Sequence, residues 1–269
     1  MMQTQMAPLP VPPEGQTLQS LARSSQVFIV LPAYNEEANI GPLLDRIGDS
    51  MAESGLQYQV FVVDDGSRDR TFEVLSDYAK RIPLTISRHP INQGLGATIR
   101  DGLLLAAETA APNDIVITMD ADETHTPGLI PRMVQMVREG HDVVIASRYR
   151  PGARVVGVSL PRRFISYSAS WLFRILFPTT GVRDYTCGFR AYRGKVLTLA
   201  MSRYGRGFVE AQGFQCMVDI LLKLRRLDVI FGEVPMILRY DLKLGASKMQ
   251  VVRTIVHTLS LVLKSRLGL

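Results

Sequence analysis

Short apolar runs recur through the first half of the chain, and each stops abruptly on polar or acidic residues. The first is Val27-Phe28-Ile29-Val30-Leu31, rich in β-branched residues and ended by Pro32. Such runs, bounded by turn residues, read as buried strands. Val60-Phe61-Val62-Val63, Leu84 to Ser87, Ile115 to Met119 and Val143-Val144-Ile145-Ala146 repeat the pattern. Helical spacing fills the gaps. Asn35, Glu36 and Glu37 open a helix to about Ser50, with acidic residues at its positive end. Asp69 caps a second helix to about Lys80, and Ala97 to Glu108 forms a third. Pro127 fits the first turn of a fourth, which ends near Gly140.

Alternating strands and helices joined by short loops predict an α/β chain: a mostly parallel, Rossmann-like sheet flanked by helices. Ligands of such sheets bind at the carboxyl ends of the strands. Polar residues collect at those ends: Tyr34 to Glu36, Asp64-Asp65, Asp120 with Asp122, and Ser147-Arg148. Gly94 and Gly96 precede a helix but do not follow the first strand, so they make a turn or a close backbone approach, not a dinucleotide fingerprint.

Beyond Arg150 the pattern changes. Pro151-Gly152-Ala153 begins a basic loop, and Pro161 to Phe177 reads as a helix carrying Trp171 and Phe173. Asp184 to Tyr192 is a compact loop or strand, Gly213 to Leu224 a helix, Val229 to Leu238 a strand, and Tyr240 to Lys248 a polar loop. Val251 to Leu267 carries an apolar stripe at helical spacing, with Arg253, Lys264 and Arg266 interspersed. The expected organisation is a disordered lead-in over 1–25, one folded unit over 26–248, and an amphipathic helix over 249–269. The folded unit divides into halves of about 26–150 and 151–248.

Composition narrows the partners. Two cysteines in 269 residues make neither a disulfide framework nor a zinc site, and a reducing, cytoplasmic setting is the expectation. A net charge of +6 favours an anionic partner, but no basic block interleaved with aromatics points to nucleic acid. No window reaches the roughly 20 apolar residues that span a bilayer.

Asp120-Ala121-Asp122 closes the strand Ile115 to Met119 with two carboxylates one residue apart. Hard cations such as Mg²⁺ or Mn²⁺ are held by one or two carboxylates plus phosphate oxygens. Taken alone, the pair reads equally as a loop whose aspartates start the next helix.

Five segments in order raise the first reading: Leu31-Pro32-Ala33-Tyr34-Asn35-Glu36-Glu37, Val63 to Thr71, Asn92 to Gly96, Met119 to Asp122, and Ala146-Ser147-Arg148-Tyr149. With Asp184 to Arg190 and Gly245-Ala246-Ser247-Lys248, they resemble glycosyltransferase family 2 over about residues 27 to 250. The branch they resemble is that of the dolichyl- or polyprenyl-phosphate mannosyltransferases and their bacterial relatives. The resemblance implies a GT-A fold and an inverting transfer of a hexose. Its donor would be a nucleotide-diphosphate sugar of the GDP-mannose or UDP-glucose type, and its acceptor a polyprenyl monophosphate. A soluble or glycan hydroxyl is the alternative acceptor.

The resemblance also implies roles. Pro32, Tyr34, Glu36, Asp64, Asp65, Gly94, Asp120, Ala121 and Lys248 would line the donor site. Asp120 and Asp122 would hold Mg²⁺ or Mn²⁺. Related enzymes often complete that site with a glutamine where Thr124 stands here, so Thr124, His125 or Glu123 would supply the third ligand. Arg148, Arg162 and Ser166 would meet the acceptor phosphate, with Arg163 as the alternative in the doublet. Asp184 would orient an arginine, act as a base, or simply fix the turn at Gly188. The aromatic and C-terminal helices would touch a membrane surface or pack on the core. The enzyme would lie at the inner face of the membrane, alone or held by a membrane protein.

Overall fold

The computed structural model describes residues 25–241 apart from residue 214, and in α5 it leaves out the side chains of residues 160–162, 164 and 165. The expected lead-in, the C-terminal helix and the loop with Lys248 lie outside the described residues.

Strands β1 (Val27–Ala33), β2 (Tyr58–Asp64), β3 (Leu84–Arg88), β4 (Ile115–Thr118), β5 (Val143–Ser147), β7 (Arg190–Arg193) and β8 (Phe231–Pro235) form one sheet in the order β3-β2-β1-β4-β7-β5-β8. All pairings are parallel except those of β7, which runs antiparallel between β4 and β5. Every residue of β4 and β5 is buried, as expected of strands covered on both faces. Helices α1 (Ile40–Ser54), α2 (Thr71–Tyr78), α3 (Leu95–Thr109) and α4 (Ile130–Arg138) connect the first five strands. The second half adds α5 (Leu160–Leu176), α6 (Gly194–Tyr204) and α7 (Cys216–Leu224). A small parallel ribbon pairs β6 (Arg154–Val156) with β9 (Ile237–Arg239).

Several boundaries move for local reasons. The first helix starts at Ile40, not Asn35, because Asn35 takes φ 51° in a turn. Pro127 opens a short 3-10 turn before α4 begins. The single strand expected over Val229 to Leu238 divides at Met236, whose N–H donates to Ser147 O at 3.1 Å. Asp69 does act at the start of α2: its Oδ1 accepts from Thr71 N at 3.0 Å and Thr71 Oγ1 at 2.5 Å.

Candidate active site

The loops after β1 and β2 are laced together. Asn35 N donates to Ser67 Oγ at 2.9 Å, Arg68 N to Asn35 Oδ1 at 2.8 Å, and Glu36 N to Thr71 Oγ1 at 2.8 Å. Glu36 is buried, and its Oε2 accepts from Asn39 Nδ2 at 2.6 Å. Pro32 and Tyr34 are half-buried on the same edge.

Asp64 and Asp65 turn inward. Asp64 has no exposed surface: Oδ1 accepts from Ser67 N at 3.0 Å, and Oδ2 pairs with Arg88 Nε at 3.1 Å. Asp65 accepts from Gln93 N and Gly94 N, both at 2.8 Å, and its Oδ1 lies 2.7 Å from His89 Nδ1. The other ring nitrogen, His89 Nε2, lies 3.2 Å from Asp101 Oδ2, so the imidazole sits between two carboxylates. Both aspartates therefore shape the edge: one holds the turn after β2, the other the turn at Gly94, where φ is 89°.

The turn after β4 is self-braced. Asp120 N donates to His125 Nδ1 at 3.1 Å, and the His125 ring stacks on Phe189. Asp122 Oδ1 accepts from Thr124 Oγ1 at 2.7 Å and Thr124 N at 3.2 Å, so Thr124 orients the second carboxylate. Glu123 takes φ 65° and pairs with Arg46 of α1 at 2.8 Å. Among the described non-glycine residues only Asn35 and Glu123 have positive φ, and both lie on this edge. Such conformations cost of order 1–3 kcal/mol and cluster at functional sites. No group of three or more His, Cys, Asp or Glu side chains among the described residues is placed to share an ion. The two aspartates still offer hard carboxylate oxygens. Gly188 leaves space beside them, since a Cβ there would sit 3.2 Å from Asp120 Oδ1. That donor set fits a Mg²⁺ or Mn²⁺ that takes its remaining ligands from phosphate and water.

At the end of β5, Arg148 meets Asp184. Asp184 Oδ2 accepts from Arg148 Nε at 2.8 Å and Arg148 N at 3.0 Å, while Oδ1 accepts from Arg148 Nη2 at 2.7 Å. Nη2 also donates to Thr186 Oγ1 at 2.5 Å. Asp184 is wholly buried, and Cys187 N at 3.1 Å closes its turn. Burial opposes charge on both partners, but their mutual attraction and hydrogen bonds outweigh it. The Arg148 pKa stands well above its ordinary value and the Asp184 pKa below. Asp184 thus fills the arginine-orienting role and the turn-fixing role. Its carboxylate is enclosed and spent, so it is not placed to serve as a base.

Ser166 lies one residue from this pair through Tyr149, whose hydroxyl is 2.7 Å from Ser166 Oγ and donates to Ser166 O at 2.9 Å. Arg162 is on the first turn of α5 by its backbone, and its side chain is outside the described residues.

The family profile described as glycosyl transferase family 2 matches residues 28–199, most of the described chain. The chain belongs to glycosyl transferase family 2. Among its relatives, it is 32% identical over 225 residues to the undecaprenyl-phosphate mannosyltransferase of Micrococcus luteus, covering 83% of this chain and 87% of that one. It is 31% identical over 211 residues to the dolichol-phosphate mannosyltransferase of Pyrococcus furiosus, covering 78% of this chain and 55% of that protein. It therefore spans little more than half the length of the Pyrococcus relative. In three dimensions it resembles the glucosyl-3-phosphoglycerate synthase of Mycobacterium tuberculosis, crystallised with Mn²⁺ and UDP. The TM-score is 0.65 and the identity 20%, over 97% of this chain and 87% of that one. The sheet and its neighbours establish the GT-A fold.

Three residues of this family 2 chain carry weight that the sequence pattern did not single out. Arg190 is fully buried and donates to the carbonyls of Cys187, Met217 and Tyr185, each at 2.8 Å. Thr186 backs Arg148. Glu233 is buried on β8, where a lone acid in an apolar strand was the available signal.

Proposed function

We propose that this family 2 enzyme is an inverting hexosyltransferase. It moves mannose or glucose from a nucleotide-diphosphate sugar, of the GDP-mannose or UDP-glucose type, to a polyprenyl monophosphate. The relatives in Micrococcus and Pyrococcus, both named for mannosyl transfer to a polyprenyl-type phosphate, support this class of reaction.

The observation that carries the choice of acceptor is the Arg148–Asp184 pair. A hydroxyl acceptor needs a base within hydrogen-bond reach. Asp184, the candidate base, is enclosed and committed to Arg148. A phosphate monoester is already an anion and needs only alignment. Arginine has five N–H donors; those on Nε and Nη2 go to Asp184 and Thr186, and among the described residues no side-chain or backbone oxygen takes those on Nη1, which can donate to a phosphate oxygen. Ser166, held against Tyr149, and Arg162 on the same helix complete the acceptor side.

On the donor side, Pro32, Tyr34 and Glu36 wall the nucleotide, and Asp64 and Asp65 hold the loops that receive it. Gly94, Asp120 and Ala121 border the diphosphate; Lys248, the remaining donor-side residue, lies outside the described residues. Asp120 and Asp122, the latter set by Thr124, would hold Mg²⁺ or Mn²⁺, which when bound neutralises charge on the departing diphosphate. Positioning and electrostatics then account for most of the rate.

The acceptor sets the location: peripheral, at the cytoplasmic face of a membrane, alone or with a membrane-protein partner. From Val143 to Arg183 the chain has seven arginines and no acidic residue. On α5, Tyr167, Trp171, Leu172 and Ile175 are exposed. Basic residues beside exposed aromatics suit an anionic lipid surface. No helix among the described residues is long and apolar enough to cross a membrane.

The test is incubation with GDP-mannose, UDP-glucose and related donors, with Mg²⁺ or Mn²⁺. Farnesyl phosphate, undecaprenyl phosphate and phosphoglyceric acid are offered as acceptors, and products are read by mass. Sugar on the polyprenyl phosphates is expected. Transfer to the hydroxyl acceptor alone would overturn the reading.

A further inference from the structure

Glu233 is an expensive residue to keep where it is. It lies on β8, opposite Ile145 in the register with β5, and only 4% of its surface is exposed. Phe231 and Val234 of the same strand belong to the hydrophobic core. Burial raises the pKa of its carboxyl, and the negative charge of Asp184 adds to that. An apolar side chain here would avoid the desolvation cost altogether. What the carboxylate provides is a specific contact: Oε1 accepts from Arg183 N at 2.6 Å and from Asp184 N at 2.7 Å.

Those two N–H groups lie in the segment that presents the Asp184 side chain to Arg148. The order of contact is continuous: Glu233 on β8, the Arg183–Asp184 backbone, the Asp184 carboxylate, then the Arg148 guanidinium at the end of β5. Two adjacent backbone donors sharing one oxygen fix both the position and the tilt of the peptide between them. Tilting that peptide would swing the Asp184 carboxylate off the Arg148 fork, whose bidentate geometry tolerates little error. Asp184's own side-chain bonds to Thr186 N and Cys187 N hold the downstream side of the same turn, so Glu233 supplies the upstream anchor.

We propose that Glu233 is a positioning residue: through the Arg183–Asp184 backbone it sets the orientation in which Arg148 meets an anionic acceptor. This rests on the acceptor-phosphate reading of Arg148 given above. The role requires a hydrogen-bond acceptor at Oε1 and not a negative charge, so Glu233→Gln should preserve it and Glu233→Met should lose it. Glu233→Asp, one methylene shorter, should be intermediate, and it covers the case in which the methionine variant does not fold.

The experiment uses the full chain and two readouts. The first is the ¹⁵N–¹H resonance of Arg148 Nε, assigned by its loss in Arg148→Lys. It should be present in wild type and Glu233→Gln, and weakened by solvent exchange in Glu233→Met and Glu233→Asp. The second is calorimetric binding of farnesyl phosphate beside binding of GDP or UDP with Mn²⁺. Glu233→Met should bind farnesyl phosphate about tenfold more weakly or worse, with nucleotide binding within about twofold of wild type. An unchanged Arg148 resonance in Glu233→Met, or in a folded Glu233→Asp, overturns the proposal. So does equal loss of both ligands. If wild type fails to bind farnesyl phosphate, the acceptor reading falls, while the resonance still decides whether Glu233 positions Arg148.

Discussion

Arg148 Nε and Nη2 grip the two oxygens of the Asp184 carboxylate at 2.8 and 2.7 Å, which fixes the plane of the guanidinium. A lysine cannot reproduce that fork, because it is a point charge on a flexible stem. Arg148→Lys should therefore raise KM for a polyprenyl phosphate by about tenfold or more, with KM for the sugar donor unchanged. A change confined to the donor would remove Arg148 from the acceptor site.

Asp184 offers a pH test. Its folded pKa lies below the ordinary value, so its charge adds stability that is complete above the unfolded pKa of about 3.9 and is lost as pH falls through the folded value. Asp184→Asn should lower Tm by a constant amount between about pH 5 and 8, and the gap to wild type should close only below about pH 4. A gap that closes near neutrality would mean another group is responsible.

Much of this edge was legible in the sequence, and the reasons are physical. Buried parallel strands need continuous apolar runs, so β1, β2, β4 and β5 declared themselves, and polar residues directly after such runs must lie at a strand end. The strand β7 was harder: Arg190-Ala191-Tyr192-Arg193 carries two charges in four residues. Arg190 is tolerated inside because the carbonyls of Tyr185 and Cys187, in the turn before it, and of Met217 on α7 all receive it; a turn that curls back onto its own arginine, and a helix 27 residues on, leave no periodic signal. Asp64 and Asp65 were expected to face the nucleotide. Their burial depends on Arg88 and His89 arriving from β3 and the residue after it. The contact Glu233 makes has no local signature, because its partners are backbone groups about fifty positions earlier in the chain.

Thr124 holds Asp122 by a 2.7 Å hydroxyl bond. Thr124→Val keeps the shape and deletes that donor. Loss of groups that orient metal ligands typically costs about 10–100-fold in affinity. Mn²⁺ binding, read by electron paramagnetic resonance in the presence of nucleoside diphosphate, should weaken by about tenfold, with Tm within a few degrees of wild type. Asp122→Ala should abolish metal-dependent turnover in a folded protein; near wild-type rates in that variant would remove the metal from this turn.

Gly188 passes close to the carboxylate of Asp120. An added methyl at Gly188 would lie 3.2 Å from Oδ1 and force one of the two to give way. Gly188→Ala should therefore reduce metal-dependent turnover far more than it reduces stability. If thermal melts show a large loss while the surviving enzyme keeps its specific activity, the glycine serves packing alone.

The reversed strand in mid-sheet has a practical meaning for anyone dissecting this molecule. Ending the chain near residue 150 would strip β4 of one neighbour and β5 of both, since β7 and β8 come from later in the chain. Bare ladders of that kind invite self-association. A fragment ending there should thus be obtainable only as an aggregate, because the earlier and later strands share a single woven floor and the first half was not built to stand by itself.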